Sequence, residues 1–141
     1  MPPPYLLDTD HCVAYLQKTH PAHNAVFSHI NAIPQGELHV CLFSAMELAE
    51  GPWHSQTAQG FQTAQSALNT FLGQIPLVGI THLTIEEFGR LRALLRQQNQ
   101  LIGDLDLAIA ATSLTNGLTL VTHNTNHFAR VPGLLLEDWY P

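Results

Sequence analysis

The sequence predicts an α/β domain with a central parallel sheet of four to five strands, and three observations support this class. Short apolar runs alternate with helical stretches of ten or more residues, as they do in βαβ units. One stretch, residues 102–128, contains a complete helix–strand unit. The length of 141 residues suits one domain with a buried core. We therefore expect residues 1–141 to form a single domain.

The strands are predicted from runs that are mostly apolar, because a parallel strand that is covered on both faces needs no polar side. These runs lie at residues 5–7, 38–43, 76–80, 118–121 and 134–136. The last run is short and is expected at an edge of the sheet.

The helices are predicted from apolar residues at spacings of three and four and from signals at helix ends. They are expected at about residues 11–17, 22–33, 44–50, 55–71 and 84–98. Thr84 and Glu87 have the spacing of a capping box. A further helix follows a loop that carries Asp104 and Asp106. It ends before Gly117, where a left-handed residue is favoured.

The composition argues against several classes of protein. No apolar run is long enough to span a membrane and no secretion signal is visible, so we expect a cytoplasmic protein without membrane contact. Cys12 and Cys41 are too few for a zinc knuckle or a disulfide scaffold. The net charge of −6 and the five basic residues are unusual for a protein that binds nucleic acid phosphates. Three of the five, Arg90, Arg92 and Arg96, share one predicted helix.

Several polar side chains follow predicted strands or begin a predicted helix, and all could reach one crevice. The carboxyl ends of parallel strands lie along one edge of a sheet, where such folds bind ligands. Carboxylates that are gathered there repel one another and need protons or a cation. An oxygen-rich site of this kind suits Mg²⁺ or Mn²⁺. The residues are Asp8, Asp10, Glu47, Asp104, Asp106 and Asn124.

Each of these residues also has a purely structural interpretation. Ser44 and Glu47 have capping-box spacing, so Glu47 could bond to the backbone of Ser44. Asp104 and Asp106 could complement a helix dipole. Asp8 could form an Asx turn, and Asn124 could be an ordinary loop or cap residue.

An ordered set of motifs nevertheless resembles the PIN domain, and most closely the VapC-like toxin ribonucleases of bacterial toxin–antitoxin pairs. The resemblance covers nearly the whole chain in the expected order and spacing. Its segments are YLLDTD at residues 5–10, SAMELAEG at 44–51, IGDLDLAIAA at 102–111, LVTHNTNHF at 120–128 and VPGL at 131–134.

The resemblance implies a three-layer α/β/α fold and the hydrolysis of RNA phosphodiester bonds by metal-activated water. Asp8, Glu47 and Asp106 match the acids of the family, and Asn124 falls where the family has Asp or Asn. Asp8 and Asp106 would then be ligands of Mg²⁺ or Mn²⁺, with Asp104 as an additional acid. Glu47 and Asn124 would position the attacking water.

The resemblance further implies an RNA substrate, a cognate antitoxin and a homodimer. A segment of the antitoxin would bring Arg or Lys to the carboxylates in competition with metal. Two residues depart from the family pattern. Asp10 stands where the family commonly has Asn, and His127 stands where it often has Asp or Glu. These departures leave the number of metal ions open.

Two other functions fit parts of the pattern. A haloacid-dehalogenase-like phosphatase would use Asp8 as its nucleophile in the Asp8-Thr9-Asp10 motif, but the only lysine is Lys18, ten residues past Asp8. A degenerate PIN domain would bind RNA or a protein without cleavage, which the acidic charge, Asn124 and His127 favour. RNA cleavage that metal restores and a chelator removes would distinguish the enzyme from the binding module.

Overall fold

A computed structural model describes residues 4–141 of the chain. Its strands are β1 (Tyr5–Leu7), β2 (Leu38–Cys41), β3 (Leu77–Val78), β4 (Thr119–Val121) and β5 (Leu136–Glu137). They form one five-stranded sheet in the order β3-β2-β1-β4-β5, and every neighbouring pair is parallel. The predicted α/β class with a parallel sheet of four to five strands is therefore confirmed.

Helices cover both faces of this sheet. They are α1 (Thr9–Leu16), α2 (His23–Ala32), α3 (Leu42–Glu50), α4 (Ala58–Gln74), α5 (His82–Gln97), α6 (Asp104–Asn116) and the single turn α7 (Thr125–Phe128). Short 3₁₀ turns lie at residues 35–37 and 51–54. Among residues 4–141, no helix has the length and apolar character needed to cross a membrane.

The alternation of side chains along β1 divides the core into two clusters. Tyr5 and Leu7 pack into a cluster that α1, α2 and α4 cover. Leu6 points to the opposite face, into a cluster that α5 and α6 cover. All three residues are buried, as expected for a central strand between two helix layers. The arrangement is the three-layer α/β/α architecture that the resemblance implies.

Gly117 ends α6 as predicted. Its backbone adopts the left-handed conformation, with φ of 63°, which an L residue with a Cβ atom adopts at a cost. The predicted start of α5 was wrong. The capping box there uses Thr81 and Thr84, one turn before the predicted pair of Thr84 and Glu87, and α5 begins at His82.

Several further boundaries differ from the sequence prediction; β3, for example, is Leu77–Val78 instead of residues 76–80. The second strand ends at Cys41, and the apolar pair Leu42 and Phe43 already belongs to α3. The last strand lies at residues 136–137 instead of 134–136. Asp104 and Asp106 lie in the first turn of α6 and not in a preceding loop. That last difference fixes the direction of both side chains relative to the sheet edge.

Candidate active site

The strand order reverses between β1 and β4, and Asp8, Asp10 and Thr122 lie together at this switch point. The chain passes from β1 outward to β2 and β3, and later returns to place β4 on the other side of β1. Such a reversal leaves a crevice at the carboxyl ends of the two strands, where open α/β sheets bind ligands. The backbone N–H of Asp8 donates to the Val121 carbonyl at 2.9 Å, joining the two strand ends. Asp8 and Thr122 therefore face each other across the crevice.

Asp8 is the most buried acid of the crevice, with 6% of its surface exposed. It caps α1, and its Oδ1 accepts from the Thr9 N–H at 2.8 Å. Its Oδ2 accepts from the Thr122 hydroxyl at 2.7 Å. Burial, with the charges of Asp10 and Asp106, raises the pKa of Asp8 to about 6, although the hydrogen bonds from Thr122 and Thr9 lower it. A buried, charged carboxylate at this edge is thus unfavourable without a counter-charge.

Asp106 reaches the same crevice from α6. A helix that leads into a parallel strand runs against it, so the N-terminus of α6 lies at the carboxyl end of β4. Burial raises the pKa of Asp106, the nearby His127 lowers it, and the charge of Asp10 raises it again. The Oδ2 of Asp106 lies 3.9 Å from the Nδ1 of His127. The acids at the ends of β1 and at the start of α6 therefore influence one another.

Asn124 stands at the rim of the crevice, just after β4. Its backbone N–H donates to the Thr122 hydroxyl at 3.0 Å, and its side-chain Nδ2 lies 3.0 Å from the Nδ1 of His127. Asn124 is partly buried, while His127 is half exposed. The residue that replaces the acid of the family, His127, thus lies within reach of both Asn124 and Asp106.

Glu47 is tied to α1 and not to the start of its own helix. Its Oε1 accepts from the Thr9 hydroxyl at 2.5 Å, whereas the N-terminus of α3 is capped by Cys41 without a side-chain bond. The capping-box interpretation of Ser44 and Glu47 is therefore wrong. The Ser44 hydroxyl is buried and has no hydrogen-bond partner among the described residues. Glu47 thus lies beside the residue that follows Asp8.

Asp104 is exposed and pairs with a basic residue of α5. Its Oδ1 accepts from the Nε of Arg92 on α5 at 3.0 Å, and 66% of its side chain is exposed. The role of a metal ligand, which the sequence suggested for Asp104, stays a prediction. The contact gives Asp104 a second possible role, since it holds Arg92 at the start of α6.

The donor set suits a divalent ion that keeps much of its water. Within residues 4–141, no three or more His, Cys, Asp or Glu side chains lie close enough together to hold a metal ion among them. A cage made wholly of protein ligands is therefore not preformed. Mg²⁺ in proteins is commonly held by one or two carboxylates with waters completing the shell. Asp8 and Asp106, whose pKa values are both raised, fit this pattern.

Sequence reasoning missed the residues that orient these acids. Thr9 and Thr122 each bond to a predicted site residue that is distant in the chain, Glu47 and Asp8. Their hydroxyls are also common in turns and caps, so type alone does not distinguish them. Their positions directly after strand ends were the only signal in the sequence.

The fold and the crevice together define an α/β/α protein with carboxylates at its topological switch point. Comparisons with known proteins refine this class. The model of the PIN domain matches residues 5–134. The chain is 31% identical over 135 residues to the tRNA(fMet)-specific endonuclease VapC of Shigella flexneri, and 30% identical over 135 residues to ribonuclease VapC2 of Rickettsia felis. Each alignment covers 96% of this chain and 97% of the relative. The chain therefore belongs to the PIN domain family, among the VapC ribonucleases.

Solved structures agree with this assignment. VapBC2 from Rickettsia felis, bound to a DNA fragment from its promoter, superposes with a TM-score of 0.84 at 28% identity, covering 96% of this chain and 98% of that chain. The DNA-bound VapBC of Salmonella typhimurium gives a TM-score of 0.85 at 23% identity, with coverage of 97% and 98%, which supports the fold alone. The haloacid-dehalogenase interpretation loses its basis, because the PIN match includes the Asp8-Thr9-Asp10 motif on which it relied.

Proposed function

We propose that this chain is the endoribonuclease toxin of a type II toxin–antitoxin pair, and that its cleavage of RNA depends on Mg²⁺ or Mn²⁺ held by Asp8 and Asp106. Membership of the VapC ribonucleases supports the reaction. One observation carries the metal dependence. Two acids from separate elements stand at the switch point, and burial together with the negative charge of Asp10 raises the pKa of each. A divalent cation removes that repulsion.

The residues around Asp8 prepare it to receive a cation. The Thr9 N–H and the Thr122 hydroxyl each bind one of its oxygens, so the plane of the carboxylate is fixed before any ligand arrives. The N-terminus of α6 directs its positive dipole end at the same crevice. A divalent ion bound there would neutralise charge on the scissile phosphate and lower the pKa of the attacking water.

Glu47 and Asn124 have the geometry of residues that orient the nucleophile. Glu47 is exposed, yet Thr9 holds one of its oxygens, so the other remains free to accept a proton or to align a water. Asn124 is held by its backbone bond to Thr122 and presents an amide at the rim. We assign both to the catalytic set with Asp8 and Asp106.

The partners follow from the same chemistry. We propose an RNA substrate and a cognate antitoxin, since the solved relatives are VapBC complexes. An antitoxin segment with Arg or Lys would neutralise the carboxylates in place of metal. We also propose a homodimer that acts in the cytoplasm. An open apolar cleft of about 360 Å³ offers a surface for such pairing, and it is lined by Phe43, Ile80, Thr84, Ile85, Phe88, Asp104, Leu105 and Ala108.

The test is RNA cleavage by the purified, folded chain with Mg²⁺, with Mn²⁺ and with EDTA. We expect cleavage that either ion restores after chelation, and its loss in Asp8→Asn. Glu86→Gln is the control for removal of one negative charge, because Glu86 is exposed on α5 and pairs with His82. Intact RNA at every metal concentration, with a folded protein, would favour a binding module instead. Unchanged cleavage by Asp8→Asn would reject the metal site proposed here.

A further inference from the structure

His11 is a fully buried histidine beside the crevice, and the function proposed above does not use it. None of its surface is exposed, and its ring lies between Asp10 and the chain end at residues 137–140. The Nδ1 of His11 is 2.8 Å from the Oδ1 of Asp10. The Nε2 accepts from the backbone N–H of Trp139 at 3.1 Å. One imidazole therefore connects α1 to the segment that follows β5.

These two contacts determine the tautomer of the ring. The Oδ1 of Asp138 lies 3.6 Å from Nε2, beyond hydrogen-bond distance. A backbone N–H can only donate, so the Nε2 that faces Trp139 must be the unprotonated acceptor. The remaining proton is then on Nδ1, which donates to Asp10. Aromatic neighbours fix the ring plane as well. The Tyr140 ring lies 4.9 Å from the His11 ring, and the Trp139 ring lies edge-on at 6.2 Å. His11 is thus a fixed donor aimed at one oxygen of Asp10.

The other oxygen of Asp10 binds the loop that follows β4. Its Oδ2 accepts from the backbone N–H of His123 at 2.9 Å and lies 3.5 Å from the Thr122 hydroxyl. The same hydroxyl donates to Asp8 and accepts from the Asn124 N–H. Asp10 therefore spans the crevice from α1 to residues 122–124. Its position determines where two members of the catalytic set lie.

We propose that His11 is a positioning residue of this site: through Asp10 it holds the Thr122–Asn124 loop and the carboxylate of Asp8 in register. The inference rests on the function proposed above. It also gives a reason for the acid at position 10. A carboxylate accepts on both oxygens, from His11 and from His123, whereas an Asn side chain has only one acceptor atom. The Asp10 and His11 pair thus forms one unit.

Two substitutions separate this role from a merely structural one. His11→Asn places an amide N–H where the Nδ1–H lies, and keeps the bond to Asp10. His11→Gln places its polar group near Nε2, and leaves the Oδ1 of Asp10 without a donor. If His11 supported only the chain end at Trp139, the Gln variant would be the better replacement. If it acts through Asp10, the Asn variant is the better one.

The experiment measures kcat and KM for RNA cleavage, together with calorimetric Mn²⁺ affinity, for both variants and for Asp10→Asn. We expect His11→Gln and Asp10→Asn each to lose roughly tenfold in kcat and in Mn²⁺ affinity, with KM little changed. Losses of this size are usual when a residue that orients a metal ligand is replaced. His11→Asn should stay within about threefold of the unmodified chain. His23→Gln is the matched control, because its Nδ1 contacts the Ala14 carbonyl of α1 and no site residue.

The double variant Asp10→Asn with His11→Gln decides whether the pair acts as a unit. We expect it to lose no more than either single variant, since residues in one hydrogen-bonded chain are not additive. Additive losses, or a Gln variant that matches the unmodified chain, would overturn the proposal. A ¹⁵N spectrum with His11 protonated on Nε2 would do the same even if a variant failed to fold. An unmodified chain that neither binds Mn²⁺ nor cleaves RNA would instead reject the proposed function.

Discussion

Replacement of Asp8 by Asn should abolish RNA cleavage and at the same time stabilise the folded protein at neutral pH. Asp8 is buried, and its ionised form is repelled by Asp10 and Asp106. Because its folded-state pKa is raised, the native state binds the proton more tightly than the unfolded chain does. The stability contributed by the protonated form is complete below 3.8 and is lost as the pH rises through about 6. At pH 7.5 the charged carboxylate therefore opposes folding.

The magnitude follows from the same pKa. An increase from 3.8 to about 6 corresponds to about 3 kcal/mol between low pH and neutral pH. Asn keeps an oxygen for the Thr9 N–H, but its amide nitrogen cannot accept from the Thr122 hydroxyl. Thr122 would have to turn its hydroxyl toward Asp10, at a cost of about 1 kcal/mol. The net gain is then about 2 kcal/mol, which raises Tm by roughly 5 °C for a chain of this size.

The assay is thermal and urea unfolding of both proteins in EDTA at several pH values. We expect Asp8→Asn to have the higher Tm at pH 7.5, and the difference to vanish near pH 4, where the native protein protonates Asp8. Added Mg²⁺ should raise the Tm of the unmodified chain and leave that of the variant unchanged, because a ligand stabilises only a state that binds it.

Asp138→Asn provides a control with the opposite sign. Burial alone would raise the pKa of Asp138, but the hydrogen bonds from the Tyr140 N–H and from His123 outweigh it and hold the pKa below its ordinary value. Loss of that carboxylate should therefore lower stability at neutral pH. An Asp8→Asn protein that is less stable than the unmodified chain at pH 7.5 in EDTA would refute the argument from charge repulsion.

Other substitutions test the remaining assignments. Asp106→Asn should lower cleavage at saturating Mg²⁺ by roughly 100-fold, whereas Asp104→Asn, which removes an exposed salt bridge, should change it by less than about fivefold; a larger loss in Asp104→Asn than in Asp106→Asn in a gel assay would support the prediction that Asp104 is a metal ligand. Glu47→Gln should lower kcat by roughly tenfold, and Glu50→Gln on the same helix, the matched control, should leave it unchanged. Gly117→Ala should lower the free energy of unfolding in urea by about 1 kcal/mol, because the φ of 63° is strained for a residue with a Cβ atom. Equal stability of the two proteins would show that the backbone at the end of α6 adopts another conformation without cost.

The sequence predicted the five strands and their places along the chain, because each is short, mostly apolar and bounded by turn residues. It did not predict where β2 ends. The run from Leu38 to Phe43 is apolar except for His39, and an apolar run of that length fits a strand or a helix equally well. The sheet decides the matter, since β3 pairs only with Val40 and Cys41. Beyond Cys41 the chain has no neighbouring strand at this position, and a helix satisfies its backbone groups instead.

The candidate site divides in the same way. Asp8 was predictable because it directly follows an apolar strand. Asp106 was predictable because it lies at the start of the helix that precedes a second apolar strand. The role of Glu47 could not be settled from spacing, because the Ser44-x-x-Glu47 pattern fits both a capping box and the family motif that carries a site acid. Only the fold shows that Thr9, on a different helix, binds Glu47. The bond between His11 and Trp139 joins residues that lie 128 positions apart, which no local pattern indicates.

The excess of acidic residues makes the proposed binding of RNA depend on the divalent ion. Five basic residues against eleven acids leave little charge for phosphate contacts, and the crevice itself would repel an RNA backbone. RNA binding and ion binding are therefore coupled, because the ion removes the negative charge that opposes folding and repels the RNA backbone. The same reasoning applies to an inhibitor. A guanidinium placed between Asp8 and Asp106 would neutralise the carboxylates as the ion does, but it would supply no activated water. The acids that make the site active therefore also make it a target for a basic antitoxin segment.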